Sequence, residues 1–307
     1  MNNRTTPADG ENEAGQTRSG FVALIGAPNA GKSTLVNQLV GTKVSIVTHK
    51  VQTTRALVRG IFIEDQAQIV LVDTPGIFRP KRRLDRAMVT TAWGGAKDAD
   101  IILVLLDSQG GLNENAEALL SSMKDVRQKK VLVLNKVDRV DPPVLLDLAR
   151  KANELVAFDQ TFMISALNGS GCKDLAKYLA ENVPNGPWYY PEDQISDMPM
   201  RQLAAEITRE KLYLRLHEEL PYASTVETER WEERKDGSVR IEQVIYVERE
   251  SQKKIVLGHK GETIKAIGQS ARKEISEILE QTVHLFLFVK VRENWGNDPE
   301  RYREMGL

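Results

Sequence analysis

The sequence predicts two domains in series: an α/β domain with a mostly parallel sheet covered by helices on both faces, then a smaller α+β domain. Three observations predict it. Short continuous apolar runs alternate with helical patterns from Phe21 to about residue 182, as expected of strands buried on both faces. A glycine-rich stretch, GAPNAGKST (26–34), separates the first run from the first helix. The alternation then stops, and the order becomes helix, two long strands, a second glycine loop, helix, strand. Residues 1–19 read as a disordered polar tail, 20–183 as the first domain, 184–199 as a linker and 200–307 as the second domain.

Each element follows from its local pattern. FVALI (21–25) is a strand feeding the glycine loop, and ALVRGIFI (56–63) and QIVLVD (68–73) are consecutive strands. IILVLL (101–106), VLVL (131–134) and TFMI (161–164) are short enough to be buried strands rather than helices. Helical patterns fall at 84–97, 113–124, 143–157 and 172–182. PNGPWYYPEDQISDMP (184–199) carries breakers and three aromatics, Trp188, Tyr189 and Tyr190, expected to pack against a domain face. Beyond it the pattern gives a helix (200–218), strands (224–234 and 238–250), a helix (262–280) and a last strand, HLFLFVKV (284–291).

Composition narrows the class. The 307 residues are 41% hydrophobic and 28% charged, as in soluble globular proteins, and no apolar run is long enough to cross a bilayer. The first twenty residues lack the apolar core of a secretory signal. A single cysteine, Cys172, excludes a disulfide framework within the chain and fits a cytoplasmic protein. The net charge of −1 conceals a basic stretch at 253–273, where six Lys and Arg face Glu262 alone. The four histidines have no metal-ligand spacing, and Asn168-Gly169-Ser170 is only a turn in a cytosolic protein.

The first glycine loop fits Gly-x4-Gly-Lys-Ser with Gly26, Gly31, Lys32 and Ser33. Ala27, Pro28, Asn29 and Ala30 form the loop, and Thr34 opens the helix whose N-terminus favours phosphate. Lys32 is expected on the β- and γ-phosphates and the Ser33 hydroxyl on Mg²⁺. DTPG follows a strand: Asp73 is expected to hold Mg²⁺ through water, Thr74 and Pro75 continue the turn, and Gly76 presents its N–H to the γ-phosphate. NKVD (135–138) selects the base, because the Asp138 carboxylate matches the two donors of guanine, whereas adenine offers no such pair. Asn135 would orient the loop, and Lys136 would lay its aliphatic stem over the base. In SAL, Ser165 and Leu167 flank Ala166, whose N–H could reach the guanine oxygen. These motifs describe a GTPase cycling between GTP and GDP.

Region 21–182 resembles the translation-factor-like class of small P-loop GTPase domains. That resemblance implies a first switch at VQTTR (Val51, Gln52, Thr53, Thr54 and Arg55), with Thr54 as the Mg²⁺ ligand and Thr53 the alternative. The usual proline before QTTR is Val51 here. Ile77 stands where other GTPases carry a water-orienting glutamine, so slow intrinsic turnover is expected, on the order of 10⁻³ s⁻¹ with a barrier of roughly 21 kcal/mol. Relatives with an asparagine at Asn29 can bind a K⁺ that bridges the phosphates, and the same is expected here.

The second glycine loop, Gly258-His259-Lys260-Gly261, leads into a helix and carries basic residues. KH domains clamp four nucleotides of single-stranded RNA with such a loop. Lys253, Lys254, His259, Lys260, Lys265 and Arg272 would meet phosphates, while Ile255, Val256, Ile264 and Ile267 would form the groove floor and the core below. The surrounding element order is that of a type II KH domain. TREKLYLRLHEELPYAS (208–224), VERESQKKIVLGHKG (247–261), AIGQSARKEI (266–275) and VKVRENW (289–295), with the loop motifs, resemble the Era family of bacterial GTPases from about residue 20 onward. The resemblance implies a GTP-controlled assembly factor for the small (30S) ribosomal subunit that binds near the 3′ end of 16S rRNA. Two other readings compete. A GTPase assisting RNA modification would need a nucleophile or cofactor loop, and Cys172 has no partner base in the sequence. A membrane-surface GTPase would use the basic helix for weak peripheral contact with the inner face of the cell membrane.

Overall fold

The computed structural model describes residues 17–78, 80, 83–293 and 295. Most of the predicted tail lies outside the described residues, but the first strand starts inside it: β1 (Arg18–Gly26) includes Ser19, which is buried. Thr17 and Ser19 bond back to Gly186 and Pro187, so residues 17–19 of the stretch read as tail pack on the first domain.

The first domain continues with α1 (Lys32–Val40), β2 (Val58–Glu64), β3 (Ala67–Asp73), α2 (Arg83–Lys97), β4 (Ile101–Asp107), α3 (Glu114–Ser122), β5 (Lys129–Asn135), α4 (Pro142–Leu155), β6 (Gln160–Ile164) and α5 (Cys172–Asn182). The sheet order is β2-β3-β1-β4-β5-β6, and every pair is parallel except β2–β3. Leu35 and Val36 of α1 and Leu175 and Leu179 of α5 pack on one face of the sheet. Ala96, Leu119, Leu120, Leu148 and Ala152 pack on the other. Both faces are thus sealed, which is why the strands read as unbroken apolar runs. The carboxyl ends of β1, β3, β5 and β6 open on the same side, where an open parallel sheet places its ligand site.

Residues 184–199 form a strap tied to the first domain rather than a free linker. Gln68 Oε1 accepts from the Tyr189 and Tyr190 amides, Ile195 O accepts from the Ile61 amide, and Arg59 pairs with Asp197 at 2.6 Å. Tyr189 packs on Phe21 with ring centroids 4.9 Å apart, and Trp188 Nε1 donates to Gln66 O. Trp188 and Tyr189 therefore cover a domain face, as expected, while Tyr190 is held through its backbone.

The second domain is α6 (Met200–Arg215), β7 (Ser224–Glu233), β8 (Val239–Val247), α7 (Glu250–Leu257), α8 (Glu262–Leu279) and β9 (Val283–Val291). The sheet order is β7-β8-β9, with β7–β8 antiparallel and β8–β9 parallel. Helices α6 and α8 bury Leu212, Tyr213, Ile267, Ala271 and Ile275 against it. Helix α7 corrects the sequence reading, which ran the strand to 250 and had no helix before the loop. Its eight residues bury only Val256, too few for a 3.6-residue period to show. Its start is held by Gln252, whose Oε1 accepts from the Glu248 and Arg249 amides at 2.8 and 3.1 Å, but an arginine at the cap position gives the sequence no capping signal. Ile255, expected in the groove floor, is mostly exposed, whereas Val256 and Ile267 are core.

Candidate nucleotide site and glycine loop

Strand ends and helix starts bring the first motif set together. A cleft of about 540 Å³ is lined by Pro28, Asn29, Gly31–Thr34, Gln52–Thr54, Gly76, Asn135, Lys136, Asp138 and Ser165–Leu167. Gly31 caps α1 at φ 95°, a left-handed conformation open to glycine. A Cβ there would also lie 2.1 Å from Asn135 Nδ2, so Gly31 is required twice over. Asn135 stitches the cleft: its Nδ2 donates to Ala30 O at 2.8 Å and its Oδ1 accepts from Ala166 N at 2.9 Å. The Ala166 amide, expected to reach the guanine oxygen, donates here to Asn135 Oδ1. Thr74 Oγ1 is also internal, donating to Leu24 O, and Pro75 is buried beside it.

Lys32 is buried, and its Nζ donates to Gly26 O and Ala27 O at 3.1 Å each. Burial lowers its pKa from 10.5 to about 8, a shift that Asp73 partly offsets. Without a phosphate, half of the lysines should be neutral near pH 8, and nucleotide binding must restore the proton. Affinity for GDP should therefore fall as pH rises above about 8, with proton uptake on binding; titration calorimetry in buffers of different ionisation enthalpy checks this, and pH-independent affinity would contradict it. Folding stability runs the opposite way: the unfolded lysine holds its proton up to 10.5, so this group favours the fold increasingly as pH rises between about 8 and 10.5.

Asp73 ends β3 fully buried, and burial raises its pKa. Its Oδ2 accepts from Ser33 Oγ at 2.6 Å, Ser45 Oγ at 2.7 Å and Thr54 Oγ1 at 3.3 Å, while Oδ1 has no partner. Ser33 Oγ and Thr54 Oγ1 are 2.9 Å apart. One orphaned carboxylate oxygen beside two converging hydroxyls is a hard oxygen donor set, which fits Mg²⁺. Thr53 also lines the cleft but does not join this cluster: its hydroxyl is 2.6 Å from that of Thr48. Among the described residues no cluster of three His, Cys, Asp or Glu could hold a metal. Ser45 lies outside every motif and was missed; no sequence signal marks it.

Lys136 adopts a left-handed conformation after β5, and its Nζ pairs with Asp107 Oδ2 at 2.6 Å. Asp107 was also missed, although it ends β4 as Asp73 ends β3. Asp138 follows in a short 3-10 turn, where the nearby Ser165 side chain, whose hydroxyl has no hydrogen-bond partner of good geometry, and Arg139, 3.7 Å away, hold its carboxyl below the usual range. Asn29 is exposed at φ 64°, with Nδ2 donating to His49 O at 2.9 Å, so it links the phosphate loop to the switch. Ile77 donates its amide to Gly26 O and packs partly buried on the sheet. Val51 is exposed, and Gln52 reaches Asp85 of α2. Arg55, expected with the switch, points away from the cleft and is buried against the second domain. Cys172 is buried, with its thiol pushed up to about 11, so it is unsuited to nucleophilic chemistry.

The second glycine loop joins α7 to α8 through a three-residue turn at 259–261 that kinks at Lys260 (φ 49°, ψ 27°). Gly258 sits at φ 75°, ψ 178°, and a Cβ there would lie 2.2 Å from Thr263 Oγ1. Lys260 is left-handed and, like His259, Lys254, Lys265 and Arg272, exposed; Lys253 is half-buried. Lys265 and Arg272, seven apart on α8, share one helix face.

Fold and sites define a P-loop GTPase domain joined to a KH domain. A family model described as a 50S ribosome-binding GTPase matches residues 21–136, and a KH domain model matches 219–296. The chain is 94% identical to GTPase Era of Brucella suis biovar 1 (strain 1330) over 307 residues, covering 100% of this chain and 99% of that protein. It is 76% identical over 295 residues to GTPase Era of Mesorhizobium japonicum, covering 96% and 95%. Among solved structures, Aquifex aeolicus Era bound to GDP·AlF4⁻ superposes with a TM-score of 0.90 at 37% identity, covering 94% of this chain and 99% of that one. Era in complex with MgGDPNP and nucleotides 1506–1542 of 16S ribosomal RNA superposes equally well, with TM-score 0.90, 38% identity and the same coverage. The chain belongs to the GTPase Era family. It is a GTPase of guanine nucleotides and Mg²⁺.

Proposed function

We propose that the chain is a GTP-driven switch that binds the 3′ end of 16S rRNA through its KH domain and assists assembly of the 30S subunit. The observation that carries this reading is the solved Era complex with MgGDPNP and 16S nucleotides 1506–1542, which matches both domains together. The exposed cations around Gly258–Gly261 support the RNA contact in this chain. Lys32 and the loop amides would bind the phosphates, Asp138 the guanine, and Ser33, Thr54 and Asp73 would hold Mg²⁺, which supplies positive charge against the transferred phosphoryl group. Triphosphate would order Thr54 and Gly76 and change how the switch docks on the KH domain, freeing the groove. By linkage, RNA would tighten GTP binding by the same factor.

Crosslinking of the intact protein to ribosomal particles tests this. Adducts should concentrate at the 3′ end of 16S RNA on immature small subunits; adducts confined to other RNA would overturn it. Placement is cytoplasmic, with weak salt-sensitive contact at the membrane's inner face; among the described residues no helix is long and apolar enough to cross a membrane. A flotation assay should lose the protein at high salt, and retention there would contradict that placement. Asn29 would support K⁺ between the phosphates. Turnover should then be at least several-fold faster in K⁺ than in Na⁺ and lose that difference in Asn29→Ala; equal rates in the wild type would rule K⁺ out.

A further inference from the structure

Residues 53–55 stand between the nucleotide cleft and helix α6. Thr54 turns its hydroxyl into the cleft beside Ser33 and Asp73. Both of its neighbours are gripped by the KH domain. Arg209 Nη2 donates to the Thr53 carbonyl. Arg55 donates to Ser224 O at 2.9 Å and to the Tyr213 hydroxyl at 2.8 Å, with its guanidinium 5.5 Å from the Trp295 ring centroid. Lys50 reaches the Tyr213 and Leu216 carbonyls. Arg209 and Tyr213 lie at i and i+4 on α6 and Leu216 is its C-cap, so one face and the end of α6 meet the switch.

We propose that Arg209 and Arg55 are positioning residues for Thr54, so that the KH domain supplies part of the scaffold of the triphosphate site. Arg209 is 1% exposed, held by both oxygens of Glu206 and by the Tyr213 ring, 5.2 Å away. It is a rigid post rather than a mobile surface arginine, and a planar guanidinium so held fixes the direction of the bond it donates. Two buried guanidiniums are a costly way to join two domains, since apolar side chains would cohere at least as well. What they add is a fixed position for the backbone on either side of one hydroxyl. Both Arg209 Nη1 and Arg55 Nε lack partners, which is further cost accepted at this place.

This rests on the reading of Thr54 as a metal ligand, and the test separates the two. Binding of fluorescent GDPNP and GDP is measured across a Mg²⁺ titration for Arg209→Met, Thr54→Ala and the double variant of the full chain. Arg209→Met should weaken Mg²⁺-dependent GDPNP binding about tenfold, the factor expected for one lost charge-assisted hydrogen bond, and leave GDP binding unchanged. In the Thr54→Ala background it should add nothing. Arg55→Lys keeps the charge but loses the planar fork that reaches Ser224 and Tyr213 from two separate nitrogens; it should behave likewise if Arg209→Met fails to fold. An effective Thr54→Ala with silent or additive arginine variants, or an equal loss of GDP binding, overturns the proposal alone. A silent Thr54→Ala overturns the ligand reading and the proposal with it.

Discussion

Asp138→Asn should exchange guanine for xanthine as the preferred base, with a swing in relative affinity on the order of 10⁴. The carboxylate would accept from two donors on guanine, and the amide replaces one acceptor with a donor. Guanine's exocyclic amine then meets an N–H, whereas the xanthine carbonyl at the same position meets its complement. The site around it remains intact: Asn135 still bridges Ala30 and Ala166, and Lys136 still pairs with Asp107. The substitution is isosteric at a partly exposed turn, so the fold should survive. Competition between GDP and XDP for a fluorescent nucleotide measures the swing, and an unchanged order of preference would remove Asp138 from base recognition.

Gly258→Asp should reduce affinity for the 16S 3′ segment by about 100-fold while leaving GDP binding unchanged. Two costs combine. The side chain would collide with Thr263, whose backbone N would lie 2.8 Å from the new Cβ, in a backbone conformation rarely open to L-residues. A carboxylate would also enter a stretch that carries six cations against one acid, where RNA phosphates are expected. Gly261 provides the internal contrast: it is also at positive φ, but nothing lies within 4 Å of a Cβ there. Gly261→Asn should therefore lose far less, because asparagine tolerates the left-handed region. Fluorescence anisotropy with a labelled oligonucleotide distinguishes them. Equal retention of RNA by Gly258→Asp would show that the loop is not the clamp.

Both sites were legible in the sequence because each depends on residues close together in the chain. GAPNAGKST, DTPG and NKVD sit at the ends of strands whose apolar runs announce them, and a parallel sheet delivers those ends to one edge. Contacts across long separations were not legible. Ser45 joins Asp73 over 28 residues and Asp107 joins Lys136 over 29, with no spacing rule to predict either. Arg55 reads as part of the switch by position, yet its hydrogen-bond partners are 158 to 169 residues away. Helix α7 escaped because a single buried side chain leaves no period. The aromatic stretch at 184–199 looked like a spacer because strand-edge pairing with Arg59 and Ile61 has no compositional signature.

The same long-range contacts give the account its mechanical core. Lys43 pairs with Glu210 and Glu274, Arg209 holds Thr53, and Arg55 enters the KH domain, so the loop proposed to sense the γ-phosphate is fastened to the domain proposed to bind RNA. The most direct measurement is the dissociation constant of the intact protein for a 16S 3′-terminal oligonucleotide in three states: nucleotide-free, with GDP, and with Mg²⁺ and GDPNP. Binding should be tightest with GDPNP, and the oligonucleotide should tighten GDPNP over GDP by the same ratio. Identical constants in all three states would contradict the coupling on which the account depends.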